Sequence, residues 1–226
     1  MSAGRRLMFV VNNPAFFMSH RVPVALAAQR AGYDVHVATM DGPAVADIQA
    51  LGMTHHAIPM TRSGKHPLQE LGTLLALVRL FRRVRPDVVH LVTIKPVLYG
   101  GIAARLARVR GMVAAISGLG FVFLSNSLKM RLVRSVVARL YRIALGHPNS
   151  RVIFQNANDR DLLKSLGAVR DAQVVMIRGA GVDLDAYRAL PEPPAPPVVV
   201  TMVARLLRDK GAVSYTHLTL PTILLV

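Results

Sequence analysis

Val88 to Gly120 reads "VVHLVTIKPVLYGGIAARLARVRGMVAAISGLG". An apolar run of strand length is followed by a segment with helical spacing from about Pro96 to Arg108, and then by a second strand-length run, "MVAAIS". Apart from His90, both runs are apolar without alternation, the pattern of strands covered on two faces. Strand, helix, strand with such runs predicts a parallel crossover unit.

The same alternation extends in both directions. Upstream come "RLMFVV", the helix "RVPVALAAQRAG", "YDVHVAT", a short helix near Ala44 to Leu51, "THHAIPM" and a long helix from about Pro67 to Val84. Gly32 suits the end of the helix before it. Downstream come a basic helix from about Leu128 to Leu145, "RVIFQ", a helix from about Asn158 to Leu166 and "AQVVMI". The series predicts an α/β domain: a parallel sheet with helices on both faces. It ends near Ala189, and residues 190–197 begin the proline-rich "LPEPPAPPV", stiff and extended like an interdomain linker. Residues 198–212 then open a new strand, the expected start of a second domain.

Composition narrows the chemistry. The chain has 226 residues and no cysteine, which excludes disulfides and thiolate metal sites. The apolar run after the two N-terminal arginines is too short to span a membrane, and Asn12, Asn13 and Pro14 end it, so we expect a first strand of a cytoplasmic protein. Between Met60 and Leu145 there are fifteen Lys/Arg against two acids, Glu70 and Asp87. Such a patch suits anionic headgroups, a phosphorylated substrate or nucleic acid. Aromatics make up only 5% of the chain, so stacking on bases is poorly provided for and the phosphate or lipid reading leads.

Ligands of open parallel sheets bind beyond the carboxyl ends of the strands. The segments there supply the candidates. In "NNPAFFMSHR" we expect Ser19 to cap the following helix, with His20 and Arg21 at its N-terminus, where N–H groups attract anions. In "HLVTIKPVLYGG" we expect His90 to end its strand and Lys95 to face the cleft from the start of a helix. In "SGLGFVF", Ser117, Gly118 and Gly120 allow close backbone approach. In "VVVTMVARLLRDKG", Arg205 and Lys210 follow a strand and precede a glycine, a spacing that can clamp a diphosphate, although a solvated loop has the same spacing. Asp183 and Asp185 read as caps of a helix rather than cation ligands. His55 and His56, adjacent on a strand, point to opposite faces and do not share a metal.

Taken together, "FFMSHRVPVALAAQRAGYDVHVAT", "VTIKPVLYGGIAARLA", "VAAISGLGFVF", "FQNANDRDLL", "GAGVDLDAY" and "VARLLRDKG" resemble glycosyltransferase family 4, retaining sugar-nucleotide-dependent enzymes of the two-domain GT-B fold. The resemblance implies a Rossmann-like acceptor domain over residues 1–189 and a donor domain beyond the linker. It implies that Arg205 and Lys210 hold the donor diphosphate without metal or other cofactor. The implied partners are a nucleotide sugar and a polyprenyl-diphosphate-linked or other glycan acceptor, with no nucleic acid, on the inner face of an anionic membrane. Many members carry a histidine after the fifth strand, where this chain has Ser117 and Gly118, so His20 and His90 stand as the catalytic candidates. A non-catalytic basic anion- or nucleic-acid-binding module and a sugar-nucleotide epimerase of the same architecture are the alternatives. In the basic helix, Leu128, Leu132, Val136 and Leu140 form one stripe with Arg131, Arg134, Arg139 and Arg142 off it. That stripe suits either the core or a membrane surface.

The last residues break the pattern. Val213 to Thr222, "VSYTHLTLPT", resembles the translation of a transposon-type sequencing adapter, and Ile223 to Val226 fits an index and the adapter's next codon. We expect residues 213–226 to be no evolved sequence, residues 198–212 to be a truncated donor domain, and the chain by itself to be inactive.

Overall fold

A computed structural model describes residues 4–60, 67–119, 128–179, 181–185 and 187–192; for 67 and 128–134 it describes backbone alone. Contacts divide the chain into two units, Met1–Gly181 and Val182–Val226. In the first, the strands are β1 (Arg6–Val10), β2 (Asp34–Thr39), β3 (Thr54–Ala57), β4 (Val88–Val92), β5 (Gly111–Ile116), β6 (Ser150–Phe154) and β7 (Val174–Met176). They form one parallel sheet in the order β3-β2-β1-β4-β5-β6-β7. Val10 pairs with Ala38 on one side and Leu91 on the other. The chain thus builds outward from β1 to β3 and returns to build from β4 to β7. Between β1 and β4 the direction of growth reverses, which leaves a crevice above the carboxyl ends of these strands.

The helices are α1 (Pro14–His20), α2 (Val22–Arg30), α3 (Val45–Ala50), α4 (Pro67–Val84), α5 (Gly101–Leu106), α6 (Leu128–Leu145) and α7 (Ala157–Ser165). Successive residues of a strand point to opposite faces, and β1 serves two cores accordingly. Phe9 packs with Phe17, Ala25, Val37 and Ile48 from the α1, α2 and α3 side. Met8 and Val10 pack with Leu77, Phe81, Leu91, Ala103 and Tyr141 on the other.

Three expectations change here. "PAFFMSH" is a helix, α1, and not a loop, because Asn13 caps it: its Oδ1 accepts from Ala15 N (2.8 Å) and Phe16 N (3.3 Å), with Pro14 in the first turn. Ser19 therefore caps nothing. It sits in the last turn of α1, where its hydroxyl donates to the Ala15 carbonyl at 2.9 Å. Asn13→Ala is expected to cost about 1 kcal/mol in urea denaturation, the usual worth of such a cap.

The second change concerns α6. Ala138, Tyr141, Ala144 and Leu145 are buried, whereas Val136 is 53% exposed and Leu140 only partly buried. The core-facing stripe is rotated from the one read in sequence because α6 meets the start of α5 through small residues. A Cβ built on Gly101 would lie 2.7 Å from the Ala144 carbonyl oxygen and 2.9 Å from its Cβ. Arg142 is exposed, as its place off the stripe implies, and donates from Nε to the Leu166 carbonyl behind α7. The side chains of Leu128, Leu132, Arg131 and Arg134 lie outside the described residues.

Third, the helix expected from Pro96 starts as a π-helical turn, Pro96–Gly100, before continuing as α5. Such turns carry one residue more than a regular helical turn and occur often beside functional sites.

In the second unit, Asp183 Oδ1 accepts from Asp185 N at 2.9 Å, as a cap would, but residues 187–192 contain no helix. Residues 193–226, which include the rest of the linker and the C-terminal tail, lie outside the described residues.

Candidate functional site

Above the carboxyl ends of β4 to β7 lies a cavity of about 200 Å³. Its wall is built by His20 and Arg21 from the junction of α1 and α2, His90 from β4, Ser117 from the end of β5 and Gln155 from the end of β6. Asn12, Asn13, Ser19 and Thr93 line a second, more open hollow of about 420 Å³ against α1. The short α1 makes the first wall: by turning the chain back after β1, it brings Arg21 beside His90 of β4.

Two polar atoms at the first cavity, Arg21 Nε and His90 Nε2, are buried without a hydrogen-bond partner among the described residues. Thr93 Oγ1, in the wall of the second hollow, is in the same state. An unsatisfied buried polar atom costs about 1–3 kcal/mol, and such sites ask for an explanation. A ligand with acceptor and donor groups at the right places would recover that cost. Thr93 also holds φ at +75°, a backbone region that a β-branched residue adopts only when its surroundings impose it.

The electrostatics of the pocket follow from burial. His90 stands in the middle of β4, two residues before its end and not at it, with its ring stacked on Phe9 at 5.1 Å. Burial first, and the charge of Arg21 second, push its pKa down to about 3. It is a neutral imidazole at physiological pH, with one ring nitrogen to donate and one to accept. Burial also lowers the pKa of Arg21. That guanidinium keeps its charge throughout the physiological range and remains the cation of the pocket.

The other candidates divide. His20 stacks on Phe16 at 4.2 Å, with Nδ1 2.6 Å from Ser19 Oγ, so both are held on the pocket rim. Ser117 is exposed at the cavity mouth, and Gly118 follows with φ +124°, a conformation that a side chain would strain. Lys95 lines neither cavity. Its ammonium reaches the Glu70 carboxylate of α4 at 2.6 Å, with both side chains largely buried. Burial, then a hydrogen bond to Glu70, raises the Tyr99 hydroxyl to about 12. Lys95, Glu70 and Tyr99 therefore tie the π-helical turn to α4. Gly120, Arg205 and Lys210 lie outside the described residues.

Thr93 and Gln155 were missed. Their position just past β4 and β6 was the available signal, since each follows an apolar run directly. His55 and His56 diverge as alternation requires: His55 Nε2 meets Thr39 Oγ1 and His56 Nε2 meets His36 Nδ1, both at 2.9 Å.

Comparison with known proteins bears on this arrangement. Residues 6–156 match the family described as Glycosyl transferase 4-like. The N,N'-diacetylbacillosaminyl-diphospho-undecaprenol alpha-1,3-N-acetylgalactosaminyltransferase of Campylobacter jejuni is 21% identical over 182 residues, 80% of this chain and 48% of its own length. Sucrose-phosphate synthase from Thermosynechococcus elongatus is similar in structure with a TM-score of 0.58 at 13% identity, over 82% of this chain and 50% of that one. UDP-GlcNAc 2-epimerase from Neisseria meningitidis, bound to UDP-GlcNAc, gives 0.53 at 12%, over 76% and 46%. These structures share the fold, and the chain spans about half the length of the relatives it matches. The family match runs from the first residue of β1 to the cap of α7, taking in the switch point and the Arg21–His90 wall, and the chain belongs to the glycosyl transferase 4-like family.

Proposed function

We propose that the whole protein moves a sugar, with retention, from a nucleotide-sugar donor to a lipid-linked or glycan acceptor, and that the sheet domain of this chain receives the acceptor. The observation that carries this reading is the pair of unsatisfied groups, Arg21 Nε and His90 Nε2, at a cavity beyond the carboxyl ends of β4 to β7. A permanent cation beside a neutral imidazole suits an acceptor with anionic and hydroxyl groups. The reading draws support from family membership and from a relative whose name specifies a diphospho-undecaprenol acceptor. Arg205 and Lys210 take the donor diphosphate, where they offset charge growing on the leaving group. Among the described residues no helix is long and apolar enough to cross a membrane. On this proposal the acceptor is met at the inner membrane face by peripheral contact.

The test is a kinetic comparison in the full-length protein. Radiolabelled transfer from a panel of UDP-sugars to a polyprenyl-diphosphate-linked sugar is measured, with the product anomer read by NMR. Arg21→Ala is expected to raise KM for the acceptor about tenfold or more, the loss of one charge-assisted contact, with the donor KM unchanged. The 226-residue chain alone should give no turnover. Conversion of UDP-GlcNAc to its 2-epimer without transfer would favour the epimerase reading, whose fold relatives share this half.

A further inference from the structure

The opposite edge of the sheet holds another cavity, of about 480 Å³, and its wall is rich in arginine. Arg85, Pro86 and Asp87 connect α4 to β4, and Arg108, Val109 and Arg110 connect α5 to β5. With Arg82 from the last turn of α4, these two loops enclose it over an apolar floor of Phe81 and Val109, 1% and 7% exposed. Four guanidinium groups, one from α4 and three from two separate connections, therefore line one hollow.

Among the described residues, the carboxylate in its wall is that of Asp87, and it is already engaged. Asp87 Oδ2 accepts from the Arg6 backbone N–H at 2.9 Å and Oδ1 from Arg110 Nη1 at 3.1 Å. Arg82 Nη2 donates to the Leu106 carbonyl at 3.4 Å, which holds that side chain across the gap between the helices. Among the described residues, Arg85 and Arg108 have no ion-pair partner. Both stand just past a helix end with left-handed backbone, φ 52° and 55°, where glycine is the usual residue. Arginine in place of glycine at both positions delivers two long cations to the same hollow.

We propose that this cavity is a second anion site, for a ligand bearing a diphosphate or clustered phosphates, distinct from the pocket at the carboxyl edge. Arginine forks match phosphate oxygens two at a time, and the single engaged acid leaves the wall strongly positive. Free polyphosphate and the headgroup of an anionic lipid share this chemistry. The site is independent of the transferase reading, since it shares no residue with the Arg21–His90 pocket.

Calorimetric titration of the full chain with inorganic pyrophosphate at low ionic strength tests it. Saturable binding is expected, with a component weakened about tenfold or more in Arg85→Gly/Arg108→Gly. Glycine suits both φ values, so this variant should melt no lower than the parent, which separates lost binding from lost folding. Arg205→Ala/Lys210→Ala removes the cations proposed for the donor diphosphate, and the binding that depends on Arg85 and Arg108 should persist in that background. Co-sedimentation with phosphatidic acid vesicles, against phosphatidylcholine vesicles, assigns the source: uptake that depends on Arg85 and Arg108 marks a headgroup, and its lack with pyrophosphate bound marks a soluble ligand. Unsaturable binding, equal affinity in the Arg85/Arg108 variant, loss only in the Arg205/Lys210 variant, or binding of duplex DNA alone would overturn the proposal.

Discussion

Taking the chain from pH 7 to pH 4 is expected to cost it about 3 kcal/mol through His90 alone, from 1.36 kcal/mol per pKa unit. The sign follows from burial. In the unfolded chain this imidazole takes up a proton near its ordinary value of 6.5, whereas in the fold its pKa is pushed down to about 3. The unfolded state therefore binds more protons between these values, and stability falls as pH drops through that window. Below about pH 3 the loss is complete. His56, lowered to about 4 by burial and then by His36, adds a loss of the same sign, smaller because the ring is partly exposed and screened. Urea denaturation at half-unit pH steps measures this. His90→Gln should flatten the slope between pH 6.5 and 4, and an unchanged slope in that variant would falsify the assignment.

A single methyl group on Gly101 is expected to destabilise the domain by about 3 kcal/mol, the upper part of the usual range for overpacking. Two effects compete. Alanine is the better helix former by about 1 kcal/mol, which would favour the substitution on an open surface. At Gly101, however, the new Cβ would meet the Ala144 carbonyl oxygen at 2.7 Å, a backbone atom that cannot rotate away. The clash wins. At the neighbouring Gly100 the nearest atom is Leu91 Cδ2 at 2.6 Å, the end of a flexible side chain, and Gly100→Ala should cost well under half as much. For a chain of this size Gly101→Ala translates to a melting point lower by about 6–12 °C. Equal melting points for the two variants would refute the argument.

These two cases mark how far sequence alone carries. The long helix Pro67–Val84 was legible at both ends, because proline opens it and the residue before Pro86 closes it. The strands were legible as apolar runs, and their order followed from the crossover pattern. Helix α1 was not, since its capping signal, Asn13-Pro14, also reads as a turn and two adjacent phenylalanines gave no clear stripe. The buried face of α6 was hidden for a different reason. It is set by the small residues Gly101 and Ala144 in another part of the chain, and periodicity within one helix does not report its neighbour's shape. His90 was singled out in the sequence but misplaced along its strand, because apolar runs mark a strand's existence better than its end. The left-handed Thr93, Arg85 and Arg108 were invisible, because side-chain identity predicts such backbone only for glycine and asparagine.

The π-helical turn at Pro96–Gly100 gives the chain one residue to spare at this point. A single-codon deletion there would close the segment to a regular helical turn and leave Gly101 facing Ala144, because the wide turn already absorbs the extra residue. A deletion within α5 has no such slack and would turn the residues after it by about 100° about the helix axis. Insertions and deletions are tolerated in the surface loops of such folds, and here the π-helical turn is a place inside a helix where one residue can be lost without changing which face of α5 meets the core.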